Sequence, residues 1–87
     1  MNQRILFPDL HHFDHEKQAV CFQAQQSGAL IACFIRVEDL EKRTQSTLPT
    51  EQAILAAFCE YRFDLEELAE SAIEDEDFNA DGEIWIC

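Results

Sequence analysis

Apolar and polar positions change their period several times along the chain. Ile5-Leu6-Phe7 ahead of Pro8-Asp9 reads as a short strand stopped by proline. Leu10 to Lys17 is polar and histidine-rich, which predicts a loop. Ala19 to Ala24 alternates, with Val20, Phe22 and Ala24 on one face, and Ala29 to Ile35 is its partner strand. Gln25-Gln26-Ser27-Gly28 makes the turn between them. If Gly28 closes a three-residue loop in the left-handed conformation, residue 25 pairs with 29 and Cys21 faces Cys33. Val20, Phe22, Ala24, Leu30, Ala32 and Phe34 then form the core face. A two-residue Ser27-Gly28 turn would shift the pairing by one; the first register is preferred because it segregates the larger side chains. The second face (Ala19, Cys21, Gln23, Ile31, Cys33, Ile35) is also fairly apolar, so it is either covered by a loop or open to self-association.

The period then becomes helical. Glu38 to Arg43 predicts a short helix, acids first and bases last, as the macrodipole favours. Gln45 to Thr47 is a linker. A long helix starts near Pro49 or Thr50, since proline suits a first turn and threonine caps. Its stripe of Ile54, Phe58, Tyr61, Leu65, Leu68 and Ala72 runs across Arg62-Phe63-Asp64 without interruption, predicting one helix to about Glu74. At that length, a bend is compatible with so small a protein. Asp81-Gly82 signals a turn, and Glu83 to Cys87 a last strand. The order β-β-β-α-α-β predicts an α+β two-layer fold, a mostly antiparallel four-stranded sheet with both helices on one face.

At 87 residues the chain suits a single domain spanning 1–87. With 47% hydrophobic residues and only two Gly and two Pro, it has the makings of a packed core rather than a disordered segment. The opening residues, Met1 to Pro8, lack a signal-peptide core, and no apolar run has the length of a membrane span, so a cytoplasmic location is expected. Charge is unevenly placed. Residues 1–44 carry six acids and five bases; residues 45–87 carry twelve acids and one base, Arg62. That half repels phosphate, which argues against nucleic acid and anionic membranes as partners and leaves a basic protein, a cation or plain solubility.

Cys21, Cys33, Cys59 and Cys87 lack the C-x-x-C spacing of zinc or thioredoxin-like motifs. Reduced thiols are expected in the cytosol, three of them buried among apolar neighbours and Cys87 exposed.

Several segments resemble a known family: Ile5 to Asp9, Ala19 to Phe22, Arg62 to Glu67, Ala69, Ile73, and the closing Asp81 to Ile86. Together they are similar to the small proteobacterial proteins known as domain of unknown function 1488. The resemblance implies an α+β fold and a soluble bacterial protein, with no activity to carry over. Arg36 stands where a small polar helix cap is expected, and Gln45 to Thr50 include extra residues.

Three segments have chemistry worth weighing. His11, His12 and His15 with Asp14 offer nitrogen and oxygen donors for zinc, nickel or copper, although adjacent His11 and His12 point apart on extended backbone, and a solvated loop holding chance histidines is the simpler reading. Asp77, Asn79, Asp81 and Glu83 occupy positions 1, 3, 5 and 7 of a calcium-type loop, with Gly82 at position 6. The position-twelve glutamate is missing, so weak divalent-ion binding competes with a plain Asp-Gly turn. Glu74, Asp75, Glu76 and Asp77 place negative charge at a helix C-terminus, against the macrodipole, which marks either a docking site for a basic partner or a solvated end that frays. No glycine-rich phosphate loop, G-x-S-x-G or H-E-x-x-H is present, and Cys59 has no catalytic partner in its own stretch of sequence. The reading that results is a non-catalytic protein–protein interaction module needing no cofactor, with homodimerisation among its modes. A calcium-like metal-binding protein is the alternative, and a small redox enzyme using Cys59 or Cys87 stands third behind it.

Overall fold

The computed structural model describes residues 5–87. The elements are β1 (Ile5–Leu6), β2 (His11–Asp14), β3 (Ala19–Gln26), β4 (Ala29–Arg36), α1 (Val37–Thr44), α2 (Glu51–Glu60), α3 (Arg62–Glu74) and β5 (Ile84–Ile86). The α+β class is as expected, with five strands and three helices among the described residues instead of four and two. The order across the sheet is β1-β3-β4-β5, with β2 also on β3. All pairs are antiparallel except β4–β5, where Cys33, Phe34 and Ile35 run parallel with Ile84, Trp85 and Ile86.

The segment expected to be a histidine loop is a strand. Both β1 and β2 pair with the same edge of β3: Leu6 opposite Gln25, His11 opposite Phe22. Four residues, Phe7 to Leu10, therefore bulge opposite Gln23 and Ala24. Pro8 cannot donate to the ladder, and the bulge accommodates it, Leu10 N–H turning back to the Pro8 carbonyl at 2.7 Å.

The hairpin register differs from the expected one. Gln26 pairs with Ala29, Cys21 with Phe34 and Phe22 with Cys33. Ser27 and Gly28 both have positive φ (53° and 82°), as a two-residue type I′ turn requires, and that turn's twist matches the strands it joins. The inward face is thus Val20, Phe22, Ala24, Ile31, Cys33 and Ile35, while Leu30, Ala32 and Phe34 lie on the other side with Ala19 and Cys21. Every helix contributes its buried residues to the inward cluster: Leu40 from α1, Ile54 and Phe58 from α2, Leu65, Ala69 and Ile73 from α3. Phe22 and Phe58 meet at its centre, ring centroids 5.2 Å apart. Fully burying such a side chain stabilises the fold by about 1.5–3 kcal/mol.

Thr50 caps α2 as its sequence position suggests, its hydroxyl accepting from Ala53 N–H at 3.1 Å. The single long helix does not form. Tyr61 leaves helical geometry (φ −102°, ψ 16°), and the chain resumes as α3. The break rotates the stripe: Ala69 and Ile73 are buried in place of Leu68, which is 37% exposed, and Ala72, which is half-buried. At α3's end, Glu76 takes a left-handed φ of 57°. Its N–H donates to the Ile73 carbonyl and that of Asp77 to the Ala72 carbonyl, a Schellman closure built without glycine. The acidic end is hydrogen-bonded rather than frayed.

Candidate functional site

Three surfaces hold the residues with chemistry to offer. The first is the helical layer. From Glu51 to Asp77 the chain carries ten acids and one base, Arg62. Arg62 is already committed: Nε donates to Glu66 Oε2 and Nη1 to Asp9 Oδ1, both at 2.7 Å, and Nη2 to the Pro8 carbonyl at 3.0 Å. The bond to Glu66, ahead of that to Asp9, holds the guanidinium pKa above its ordinary value against the opposing effect of burial. Glu60, Asp64, Glu67, Glu74, Asp75, Glu76 and Asp77 are exposed and make no ion pair among the described residues. In their midst Phe63, in the first turn of α3, is 85% exposed.

The second surface is the face of the sheet away from the helices. Phe34 stacks on Trp85, and Arg36 lies over the Trp85 ring at 4.6 Å. This explains why arginine stands at the N-cap of α1: its side chain makes no cap hydrogen bond and serves the aromatic face instead. Lys17 sits over Phe34 at 5.7 Å. Beneath this aromatic cover Cys21 is buried, and burial, followed by the negative charge of Asp14 and Glu83, raises its thiol pKa. Cys33, on the inward face, is pushed by burial up to about 12. Leu6 and Leu30 remain exposed at the far end of the same face.

The calcium-like segment leads into this face. Asn79 Oδ1 accepts from the backbone N–H groups of Asp81 and Glu83, at 3.0 and 2.8 Å. Asn79 Nδ2 and Trp85 Nε1 both donate to Glu83 Oε1 at 3.1 Å. The bond from Trp85, then that from Asn79, keeps the Glu83 carboxyl below the usual carboxylate range. Asn79 and Glu83 thus spend oxygens on closing the turn, and Asp77 and Asp81 are exposed. Among the described residues no three His, Cys, Asp or Glu side chains gather closely enough to hold a metal ion.

The third surface was not legible in the sequence. His11 points inward from β2 and packs on Phe58, ring centroids 5.1 Å apart, with Nε2 3.8 Å from Cys59 Sγ. Its Nδ1 is buried without a hydrogen-bond partner, and Asp9 Oδ1 lies 3.8 Å away. His12 is exposed on the opposite side of the strand, and His15 pairs with Glu51 at 3.0 Å. The three histidines are therefore dispersed. Cys59, expected to be buried, is exposed beside His11.

The family model described as "Protein of unknown function (DUF1488)" matches residues 5–86. The chain belongs to this family. It is 38% identical over 86 residues to the uncharacterized protein YrdB of Escherichia coli K12, covering 99% of each chain. Against YrdB of Shigella flexneri the identity is 37% at the same coverage. A crystal structure of a DUF1488 protein of unknown function from Shewanella loihica PV-4 superimposes with a TM-score of 0.96 at 37% identity, covering 99% of this chain and 94% of that one. Two of the segments that carry the DUF1488 resemblance, Ile5 to Asp9 and Arg62 to Glu67, meet through Arg62. A third, Asp81 to Ile86, is the closed turn and β5. No helix among the described residues is long and apolar enough to cross a membrane.

Proposed function

We propose that this DUF1488 protein is a cytoplasmic, non-catalytic protein-binding module that receives a basic partner on its acidic helical layer. The observation carrying this reading is Phe63, 85% exposed and ringed in sequence by the unpaired Glu60, Asp64 and Glu67. Exposed aromatic rings are frequent anchors of protein interfaces, and a field of one charge sign steers and selects an oppositely charged partner. Glu74 to Asp77 extend the same field past the end of α3.

The test begins with capture on immobilised protein, followed by titration of the purified partner at two salt concentrations. Binding of a basic protein that weakens with salt, weakens tenfold or more in Phe63→Ala, and falls on neutralising Glu74 to Asp77 supports the reading. Affinity indifferent to salt and to both variants refutes it.

A different observation favours homodimerisation as a second mode. The open sheet face sets Lys17 and Arg36 against Asp14 and Glu83, a balance the helical layer lacks, and exposes Leu6 and Leu30. Two copies meeting there would keep their acidic layers apart. Sedimentation of wild type against Leu30→Lys decides it.

A further inference from the structure

We propose that Cys59 is a reactive thiol, with His11 as its base, that undergoes thiol–disulfide exchange with a small disulfide. This goes beyond the protein-binding reading and does not rest on it.

The arrangement is assembled from three places. The bulge at Phe7 to Leu10 delivers Asp9, β2 delivers His11, and the end of α2 delivers Cys59. Nε2 of His11 stands 3.8 Å from Sγ, within reach for a sulfur hydrogen bond. To accept from the thiol, Nε2 must be bare, so Nδ1 carries the hydrogen. That Nδ1 is the buried side-chain nitrogen without a partner, and Asp9 Oδ1 lies 3.8 Å from it. An orphaned buried donor calls for explanation, and proton transfer supplies one. Once Nε2 takes the thiol proton, Nδ1–H belongs to an imidazolium facing a carboxylate, and the orphan becomes half of an ion pair. Arg62 grips Asp9 at 2.7 Å and holds that carboxylate in place, so Asp9 is a positioning residue.

The one cation in this cluster, Arg62, is already paired with Glu66 and Asp9, and the backbone and sequence neighbours of the thiol work against it. Cys59 is the penultimate residue of α2, at the negative end of the macrodipole, and Glu60 follows it. His11 therefore has to supply the stabilisation of the thiolate. In the exchange, the Cys59 thiolate attacks one sulfur of RS–SR, and the new S–S bond forms as the old one breaks. The released RS⁻ takes the proton from His11 Nε2 and leaves as RSH. Cys59 ends oxidised as a mixed disulfide, and half of the small disulfide is reduced. Cys21 and Cys33 are buried, so neither is presented to resolve the mixed disulfide. With Asp9 neutralised by Arg62, the unpaired Glu60 next to the thiol favours a cationic disulfide over an anionic one.

The experiment uses the full chain with cystamine and, separately, with glutathione disulfide, quenched in acid and mapped by mass spectrometry between pH 6 and 9. Cys59 should acquire the adduct ahead of Cys87, and cystamine should react faster than glutathione disulfide. A tenfold larger thiolate fraction speeds exchange only about threefold, because a better-stabilised thiolate is a weaker nucleophile. His11→Asn should thus slow the reaction about threefold or more at pH 7, with the gap closing toward pH 9; Asp9→Asn should slow it less, with the same pH profile. Thermal melts confirm that both variants fold. In urea, where His11 is no longer near Cys59, wild type and His11→Asn should react at equal rates. Equal rates for wild type and His11→Asn at every pH, a gap between them that persists in urea, or Cys87 reacting as fast as Cys59 would overturn the proposal.

Discussion

Phe34 and Trp85 lie nearly parallel, ring centroids 4.6 Å apart and planes inclined by 14°, directly opposite one another in the parallel β4–β5 pair. They cover Ala19 and Cys21 on the face opposite the described helices. Phe34→Leu keeps most of the apolar volume and removes the stack, so it should cost about 1–2 kcal/mol. Trp85 is the sole tryptophan, so urea denaturation followed by its fluorescence reads both effects. The native emission should move to longer wavelength and the midpoint should fall. An unchanged spectrum and midpoint would show that the stack contributes nothing.

Glu83 links this aromatic face to acid. Its carboxyl is held below the usual range by the bonds from Trp85 and Asn79. A depressed carboxylate contributes stability that is fully present above its unfolded value and is lost as pH falls through the folded value. The window therefore lies below about pH 4.5. The Trp85 indole N–H resonance and fluorescence melts, followed from pH 6 to 3, should report loosening there. Glu83→Gln keeps an acceptor oxygen and drops the charge, so its profile should be flatter over that window.

Glu76 is the residue at which the helix end stores strain. Glu76→Gly should stabilise the protein by about 1 kcal/mol, since glycine accepts the left-handed conformation freely. Glu76→Ala removes the same charge and leaves the strain, so the difference between the two variants in a thermal melt isolates the backbone contribution. Equal melting temperatures would mean that the conformation is not costly there.

Signals confined to one turn of chain were legible in the sequence. Thr50 capping, the acid-to-base order of α1 and the Asp81-Gly82 turn depend on neighbours a few residues away, and each is found where those neighbours place it. The hairpin register was not, because side-chain size favoured one pairing while the backbone twist available at Ser27-Gly28 selected the other. Strand β2 was hidden because it continues β1 across a bulge, and only the partner strand reveals the continuity. The break at Tyr61 leaves the spacing of apolar residues regular while rotating which of them face inward. His11 and Cys59, 48 positions apart, meet only through the fold.

The parallel pairing of β4 with β5 has a consequence for the order of assembly. Hairpin β3–β4 can close as soon as its turn is made, whereas Ile84 meets Cys33 only after about fifty residues have intervened. All three helices lie within that one connection. Closing so long a loop costs entropy before any contact offsets it. The last three-residue strand is therefore expected to seat after the β3–β4 hairpin has closed. Until it engages, the edge of β4 is exposed to pairing by other chains. A substitution that slows the seating of Ile84 or Ile86 would appear first as aggregation during synthesis, before any loss of equilibrium stability in the finished protein.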